Sequence, residues 1–432
     1  MRIAVCGLWH LGSVTAACLA AVGHDVCGFD FEPSVTSGLS MGRPPVHEPG
    51  LDELVASGLA TRRLRFSSDP VDAVTDADVV WITDDTPVDD DDRADVEWVI
   101  DRLRRLLPRL EPDTLVLVSS QLPVGTVARI AREWRERSPL TTLTFGCVPE
   151  NLRLGSAIRS FTRAERIVVG LDDPGQKARV AQLLQPFGDR IEWMSVASAE
   201  MTKHALNAFL ATSVAYINEV ATLCEHVGAD AAEVARGLMS DARIGPGAYL
   251  TPGAAFAGGT LARDVVFMAS LGSSLGVPTH LLASVKTSND RHRCWAQRRL
   301  QVALGPLAGQ TVGVWGLTYK AGTDTLRRSA SIDLCRWLVG HGATVRVHDP
   351  VVKSLPDDLQ ASVHRFDSPA AAARGTSALV IATPWPEYQH VLADDVIPFM
   401  KRPLILDAIR WTRETLGHDT QAEYVSVGQA TA

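Results

Sequence analysis

Two polar side chains, Lys203 and Asn207, are spaced so that both could act on one substrate oxygen. Residues four apart on a helix project from the same face, and the segment 200–207, Glu-Met-Thr-Lys-His-Ala-Leu-Asn, has the composition of a helix. A lysine ammonium beside an alkoxide favours its formation, and a nearby carboxylate can relay the proton. Because an isolated Lys/Asn pair is usually a solvated helix face, a catalytic role needs support from other motifs.

A glycine-rich segment later in the chain ends in a suitable carboxylate. Residues 256–264 read Phe-Ala-Gly-Gly-Thr-Leu-Ala-Arg-Asp, and Asp264 could relay a proton and hold a lysine in place. Residues 243–259 are rich in Gly and Pro, which predicts a loop that reaches a cleft.

The start of the chain predicts a dinucleotide site. A strand at 3–6 leads into Gly-Leu-Trp-His-Leu-Gly at 7–12 and then a helical stretch, as in a turn that approaches a pyrophosphate. Trp9 stands where the second glycine is expected, and its side chain could crowd the pyrophosphate. Asp30 ends the second strand, where it either accepts from adenosine ribose hydroxyls, favouring NAD over NADP, or serves as a turn residue. The candidate cofactor-binding residues here are Gly7, Trp9, His10, Leu11, Gly12 and Asp30.

Short apolar strands alternate with helical stretches at both ends of the chain. This pattern predicts an α/β fold with two Rossmann-like, doubly wound parallel-sheet domains joined by a central helical segment. The predicted domains are 1–196, 197–296 and 297–432, for a chain of 432 residues. The predicted strands are 3–6, 26–30, 79–83, 115–119, 312–316, 344–349, 378–383 and 404–407.

Composition excludes several classes of protein. The net charge of −8 and the pI near 5.8 argue against a nucleic-acid-binding surface, and no apolar run is long enough for a membrane span. The chain lacks the layout of a signal peptide, so we expect a cytoplasmic protein. The seven cysteines are scattered without C-x-x-C spacing, which favours buried thiols, and no metal site is predicted.

The 256–264 segment resembles the G-G-S-C-x-x-K-D signature of the UDP-glucose/GDP-mannose dehydrogenase family. In that family the cysteine holds the sugar as a thiohemiacetal and then as a thioester. Here the segment from Gly258-Gly259 to Asp264 is one residue shorter, so the cysteine is deleted or replaced by Leu261. Arg263 stands in place of the lysine. Removing such a nucleophile can cost about a millionfold in rate, which predicts an altered mechanism.

Other motifs extend the resemblance over nearly the whole chain. Residues 149–153, Pro-Glu-Asn-Leu-Arg, are similar to N-P-E-F-L-R, which implies Glu150 as a general base acting through water. Lys203, Asn207 and Asp264 match the residues that hold the reacting hydroxyl. Thr86 and Gln121 lie in two loops that resemble cofactor loops. The resemblance also implies substrate contacts from Arg153, Gly258, Gly259 and Thr260.

Two acidic residues, Asp84 and Asp85, precede Thr86, where the family is mostly uncharged. They predict either a more acidic site near the nicotinamide or side chains that face solvent.

The resemblance further implies phosphate contacts and a homodimer. Arg243 matches an arginine that reaches across the family's dimer to a nucleotide-sugar phosphate. Lys320 and Arg327 lie in Gly-Leu-Thr-Tyr-Lys at 316–320 and the following Thr-Asp-x-x-Arg-x-Ser, similar to the family's C-terminal element. A guanidinium can bind phosphate oxygens in a bidentate manner. An interdomain salt bridge is the alternative role.

The leading hypothesis is NAD-dependent oxidation of the 6-hydroxyl of a nucleotide sugar, a UDP-hexose, to the uronic acid without a cysteine. Glu150 would promote hydration of the intermediate aldehyde so that a second hydride can leave. A single oxidation to the 6-aldehyde is one alternative. The others are a redox-neutral epimerase with bound NAD and a non-catalytic paralogue that binds nucleotide sugars.

Overall fold

Short apolar runs form the strands of two sheets, as the sequence predicted. The runs Val79–Ile82 and Leu115–Val118 are buried along their whole length, because a parallel sheet covered on both faces has no solvent side. The computed structural model describes residues 1–87, 89, 94–150, 152, 154–257 and 260–429. It divides into two compact units, Met1–Ala205 and Leu206–Ala432.

The first unit is built on an eight-stranded sheet with helices over it. The strands are β1 (Arg2–Cys6), β2 (Asp25–Phe29), β3 (Leu64–Ser67), β4 (Val79–Ile82), β5 (Leu115–Val118), β6 (Thr144–Cys147), β7 (Ile167–Leu171) and β8 (Ile191–Met194). The helices are α1 (His10–Ala21), α2 (Pro33–Ser40), α3 (Leu51–Ala60), α4 (Pro70–Val74), α5 (Val96–Leu106), α6 (Thr126–Arg137), α7 (Ala157–Thr162) and α8 (Lys177–Leu184). The strand order is β3-β2-β1-β4-β5-β6-β7-β8, with β6 and β7 antiparallel. Buried apolar side chains form two core clusters in this unit.

A 32-residue helix, α9 (Val196–Val227), begins in the first unit and continues into the second. The second unit adds the helices α10 (Ala231–Ser240), α11 (Thr260–Ser274), α12 (His280–Arg293), α13 (Trp295–Leu304), α14 (Ala330–Gly340) and α15 (Pro369–Ala373). Its sheet contains β9 (Thr311–Trp315), β10 (Thr344–His348), β11 (Val363–Arg365), β12 (Ala378–Ile381), β13 (Leu404–Asp407) and β14 (Glu423–Val425). The order is β11-β10-β9-β12-β13-β14, with every pair parallel. Within the described ranges, no helix combines the length and apolarity that a bilayer crossing requires.

These elements confirm the predicted fold class. All eight predicted strands are present, and most end one or two residues earlier than predicted because residues such as Asp30 already belong to the following turns. The sequence did not predict β3, β6, β7, β8, β11 or β14. The predicted division into three domains stays a prediction.

Both sheets share the order third-second-first-fourth-fifth-sixth strand, and both place a carboxylate after the second strand. In the second unit, Asp349 Oδ2 accepts from the backbone N–H of Leu317 at 2.7 Å and from Trp385 Nε1 at 3.2 Å. Its Oδ1 accepts from the backbone N–H groups of Val351 and Val352 at 3.0 and 3.1 Å. Asp349 therefore joins the turns that follow β9, β10 and β12.

We predict that Asp349→Ala lowers the free energy of unfolding of the second unit by about 3 kcal/mol, because several buried N–H groups lose a charged acceptor. Urea titration followed by fluorescence would measure the loss. Asp367→Ala is the matched control, since this exposed carboxylate forms an ion pair with Arg365 at the surface. Equal effects of the two substitutions would contradict the role assigned to Asp349.

Candidate active site and cofactor site

The turn after β1 requires glycine at two positions. Gly7 has φ +95°, and its N–H donates to the carbonyl of Phe29 at 2.9 Å. A Cβ on Gly7 would lie 2.6 Å from the backbone N of Asp84, and a Cβ on Gly12 would lie 1.7 Å from the carbonyl O of Gly7. The backbone is therefore packed as closely as the pyrophosphate-binding turn of a Rossmann domain requires.

The three candidate residues between these glycines occupy different surroundings. Trp9 is the N-cap of α1, makes no side-chain cap hydrogen bond and is 52% exposed. His10 Nε2 lies 3.0 Å from Oε2 of the buried Glu48, whereas Leu11 is itself buried. The first turn of α1 thus keeps backbone N–H groups available for a pyrophosphate, and Leu11 could contribute only its backbone.

The carboxylate of Asp30 fixes this turn from the end of β2. Its Oδ2 accepts from the backbone N–H of Leu8 at 2.8 Å, and its Oδ1 accepts from that of Glu32 at 3.1 Å. A third donor, Arg102 Nη2, lies 2.9 Å from Oδ1. A carboxylate has about four acceptor positions, so Asp30 keeps room for one ribose hydroxyl. Both roles weighed for Asp30, ribose contact and turn residue, are compatible with this geometry.

Arg102 connects Asp30 to a second buried carboxylate. From α5, its Nε donates to Asp84 Oδ1 at 2.8 Å, and all three side chains are about nine-tenths buried or more. Burial raises the pKa of Asp84 to about 7, an effect that Arg102 opposes and Asp30 reinforces. Asp84 therefore faces neither solvent nor an open acidic site, while Asp85 is exposed.

The two further cofactor loops are tied together and contain a hydroxyl available to a ligand. Thr86 Oγ1 donates to the carbonyl of Gln121 at 2.8 Å. The neighbouring Ser120 is buried, and its Oγ has no hydrogen-bond partner among the described residues. Ser120, Gln121 and Lys203 line one small cavity. Unsatisfied buried hydroxyls are costly, so Ser120 fits a site where bound NAD or water completes the hydrogen bonding.

One face of α9 carries polar residues at positions 200, 203, 204 and 207. Glu200 accepts from the backbone N–H groups of Gly125 and Val127 at 2.6 and 3.0 Å, at the start of α6. His204 Nε2 lies 2.9 Å from the carbonyl O of Leu122. Burial raises the pKa of Glu200, although these backbone donors oppose the shift. Glu200 and His204 thus fasten the second cofactor loop to α9, a role that the sequence analysis missed.

Lys203 lies beside Glu150 in the first unit. Its Nζ donates to the carbonyl of Glu150 at 2.5 Å and lies 3.8 Å from the carboxylate Oε1. Glu150 also accepts from the backbone N–H of Leu152 and keeps 29% of its side chain exposed. An ammonium and a water-accessible carboxylate are therefore in reach of one another, as acid–base chemistry on a substrate hydroxyl requires.

A cysteine also lines the Lys203 cavity, outside the 256–264 segment. Cys147 lies there at the end of β6. Burial, reinforced by the charge of Glu200, raises the pKa of Cys147 far above its usual range. Because the thiolate is the nucleophilic form, the raised pKa of Cys147 argues against a nucleophilic role for this buried thiol.

In the second unit, Asn207 contacts Asp264. The amide Nδ2 of Asn207 donates to Asp264 Oδ2, and Asp264 is fully buried on α11. Asp264 therefore orients the amide of Asn207 and does not itself meet solvent. Thr260 is exposed at the first position of the same helix.

Side chains of α9 and α12 hold the loop that precedes the glycine pair. Asn289 forms two hydrogen bonds with the backbone of Phe256. Its Oδ1 accepts from the N–H at 2.9 Å, and its Nδ2 donates to the carbonyl at 3.0 Å. Gly253 N–H donates to Asn218 Oδ1 at 2.9 Å, and its carbonyl lies 2.7 Å from His292 Nε2. These buried positioning residues were not among the predicted site residues, because isolated polar residues in helices give no local signal.

The candidate phosphate-binding residues Arg243, Lys320 and Arg327 all belong to the second unit. Arg243 is paired with Asp241 at 2.7 Å, with 89% of its side chain exposed. Lys320 ends the turn after β9, its Nζ 5.8 Å from the ring centroid of Tyr319. Arg327 is exposed two residues before Ser329, the N-cap of α14. The predicted residues Arg153, Gly258 and Gly259 lie outside the described residues.

Comparison with known proteins gives matches along nearly the whole chain. Residues 1–188, 197–291 and 313–414 match the NAD binding, central and UDP binding domains of the UDP-glucose/GDP-mannose dehydrogenase family. A UDP-glucose 6-dehydrogenase of Rhizobium meliloti is 34% identical over 99% of this chain and 100% of its own length.

Solved structures show the same likeness. A UDP-glucose dehydrogenase from Pyrobaculum islandicum superposes with a TM-score of 0.87 at 30% identity, covering 99% of this chain and 98% of that one. A UDP-D-ManNAc dehydrogenase from Pyrococcus horikoshii has a TM-score of 0.86 at 24% identity over the full length of both chains, which shows the shared fold alone. The chain belongs to the UDP-glucose/GDP-mannose dehydrogenase family and is an NAD-dependent nucleotide-sugar dehydrogenase.

Proposed function

We propose that this enzyme oxidises the 6-hydroxyl of a UDP-hexose to the uronic acid without a covalent enzyme–sugar intermediate. The observation that carries the proposal is the pairing of Lys203 with Glu150 in a chain whose 256–264 segment has no cysteine. UDP as the nucleotide is supported by the match to a UDP binding domain and by the names of the relatives. A cytoplasmic location belongs to the same proposal.

Lys203 stabilises the alkoxide that forms as the 6-hydroxyl loses its proton, through water, to the carboxylate of Glu150 and C6 loses a hydride to NAD. Its ammonium is held by the carbonyl of Glu150, so the charge is already in place when the alkoxide develops. Asn207, one helical turn further along α9, presents its amide to the same oxygen. Asp264 orients that amide from its buried position.

Glu150 replaces the covalent step by activating water. The carboxylate accepts a proton from water as the oxygen adds to the 6-aldehyde, giving a gem-diol. Lys203 then stabilises the gem-diol oxyanion as a second hydride leaves C6 to a second NAD, and the acid forms. Each oxidation releases one proton and reduces one NAD, so the complete reaction consumes one water and reduces two NAD.

The first test is NADH formation against a panel of UDP-, GDP- and dTDP-sugars, with product masses measured. We expect a UDP-hexose to give two NADH per sugar and a product that has gained one oxygen and lost two hydrogens. Cys147→Ser should leave this stoichiometry unchanged, because the thiol takes no part. One NADH per sugar would establish the 6-aldehyde as product. Turnover without net NADH would indicate an epimerase, and ligand-induced thermal stabilisation without turnover a binding protein.

We predict that Lys203→Met lowers kcat by a factor of about 10² to 10⁴, since the alkoxide loses its charged partner. The dissociation constant for NADH, measured by fluorescence titration, should change little. Lys177→Met is the matched control, because this exposed lysine lies on α8 beside Trp193. A variant at 203 that keeps full kcat would remove Lys203 from the reaction.

We also propose a homodimer formed through α9. Phe209, Tyr216 and Leu223 follow one another at intervals of seven residues and are 68%, 50% and 66% exposed. Large apolar side chains at this spacing are typical of a helix–helix seam. Exposed Arg243 suits the contact with a nucleotide-sugar phosphate across such a dimer.

For this interface, we expect Leu223→Asp to convert the dimer to monomers in sedimentation velocity and to reduce activity. A carboxylate buried without a partner in an apolar interface has a desolvation cost of several kcal/mol, which opposes dimerisation. Leu392→Asp, at an exposed leucine outside the helices, serves as the control. A wild-type monomer at micromolar concentration would overturn the proposal.

A further inference from the structure

The cofactor domain contains a buried charge network that its binding motif does not reveal. Arg102 contacts Asp30 at 2.9 Å and Asp84 at 2.8 Å, and its side chain is 10% exposed. Asp30 follows β2, Asp84 lies two residues past β4, and Arg102 lies on α5. The network therefore joins three elements at the edge of the sheet where a Rossmann domain binds the adenosine ribose.

Two aromatic rings fix the guanidinium in this position. Its central carbon lies 4.6 Å from the ring centroid of Phe31 and 4.5 Å from that of Trp98. Phe31 directly follows Asp30, so Arg102 is held against the same short segment that would meet the ribose. Such packing limits how far the guanidinium can turn towards another anion.

An arginine next to the carboxylate after the second strand is the usual means by which a Rossmann domain accepts the 2′-phosphate of NADP. Here the arginine in that position, Arg102, already forms ion pairs with the carboxylates of Asp30 and Asp84. With both ionised, the network has a net charge of −1, which opposes a phosphate dianion. Without the charge of Asp84, this three-residue network would be neutral, and among the described residues Arg102 would keep its ion pair with Asp30.

We propose that Asp84, acting through Arg102, determines the preference of this enzyme for NAD over NADP. Asp30 contributes the ribose contact. Asp84 binds the guanidinium of Arg102 and so keeps it from binding a 2′-phosphate. Asp84 is thus a specificity-determining residue outside the glycine-rich fingerprint, and it acts through another residue without touching the cofactor.

The proposal implies a pH dependence with a defined direction. Burial raises the pKa of Asp84 to about 7, with Arg102 lowering it and both Asp30 and exposed Asp85 raising it. The adjacent thiol of Cys6 is neutral, because burial and then Asp84 raise its pKa well above the usual value. As pH falls through about 7, Asp84 becomes protonated and discrimination against NADPH weakens. As pH rises above 7, discrimination strengthens.

The experiment measures dissociation constants of NADH and NADPH by fluorescence titration of the full-length protein, without sugar. Asp84→Asn should tighten NADPH binding about tenfold while changing NADH binding by less than about threefold. Asp101→Asn, which removes an exposed carboxylate one residue before Arg102, should leave the ratio unchanged. Adding Arg102→Lys to Asp84→Asn should reverse the gain, because the planar, bidentate donor is lost.

Titrations from pH 6.5 to 8.5 provide a second measurement. The NADPH/NADH ratio of dissociation constants should rise with pH more steeply in the wild type than in Asp84→Asn, since the phosphate of NADPH titrates equally in both. Asp84→Ser is measured beside Asp84→Asn, and a thermal melt of each variant establishes that it is folded. An unchanged ratio in a folded Asp84 variant, or equal pH slopes, would overturn the proposal. Either result leaves the sugar chemistry untouched, because no sugar is present.

Discussion

One hydrogen bond recurs at the carboxyl end of each sheet and fixes the turn there. A glycine directly follows a strand, and the N–H of the next residue donates to a carboxylate that follows the neighbouring strand. In the first unit Leu8 donates to Asp30 at 2.8 Å, and in the second Leu317 donates to Asp349 at 2.7 Å. The glycine before each donor has a positive φ that side chains rarely tolerate. Both turns therefore hold the backbone next to the carboxyl ends of the strands, where α/β sheets bind nucleotides.

The two turns differ in the groups that complete the hydrogen bonding of the carboxylate. Asp349 is surrounded by backbone donors and the indole of Trp385, so its charge is satisfied within the turns. Asp30 has fewer backbone donors and takes a guanidinium from α5. A buried guanidinium with one carboxylate would carry no net charge, but this one has two. With both carboxylates ionised, the network has an excess negative charge, and we propose that this charge adapts the same turn geometry to distinguish between cofactors.

Periodicity predicted the two sheets, and spacing singled out Lys203 and Asn207 as candidate reacting groups because a four-residue interval places them on one helix face. The same interval applied to Glu200 would have singled out His204. Arg102 had no such signal, since it is 72 residues from Asp30 and sits in a helix with other arginines. Strands β6 to β8 were missed because their order depends on an antiparallel pairing that sequence periodicity does not specify.

In the proposed mechanism, the absence of a cysteine from residues 256–264 changes which groups must be rigid. A thiohemiacetal would keep the sugar in place between the two oxidations, whereas a free aldehyde would have to be held by noncovalent contacts until water adds. Glu150 and Lys203 form one contact pair, and Asn207 and Asp264 form another, each with a buried or backbone-anchored member. Glu200 and His204 anchor the same helix to the cofactor loop. Under the proposed function, preorganised donors of this kind would stabilise the oxyanion on the C6 oxygen at each of the two oxidations without a covalent bond.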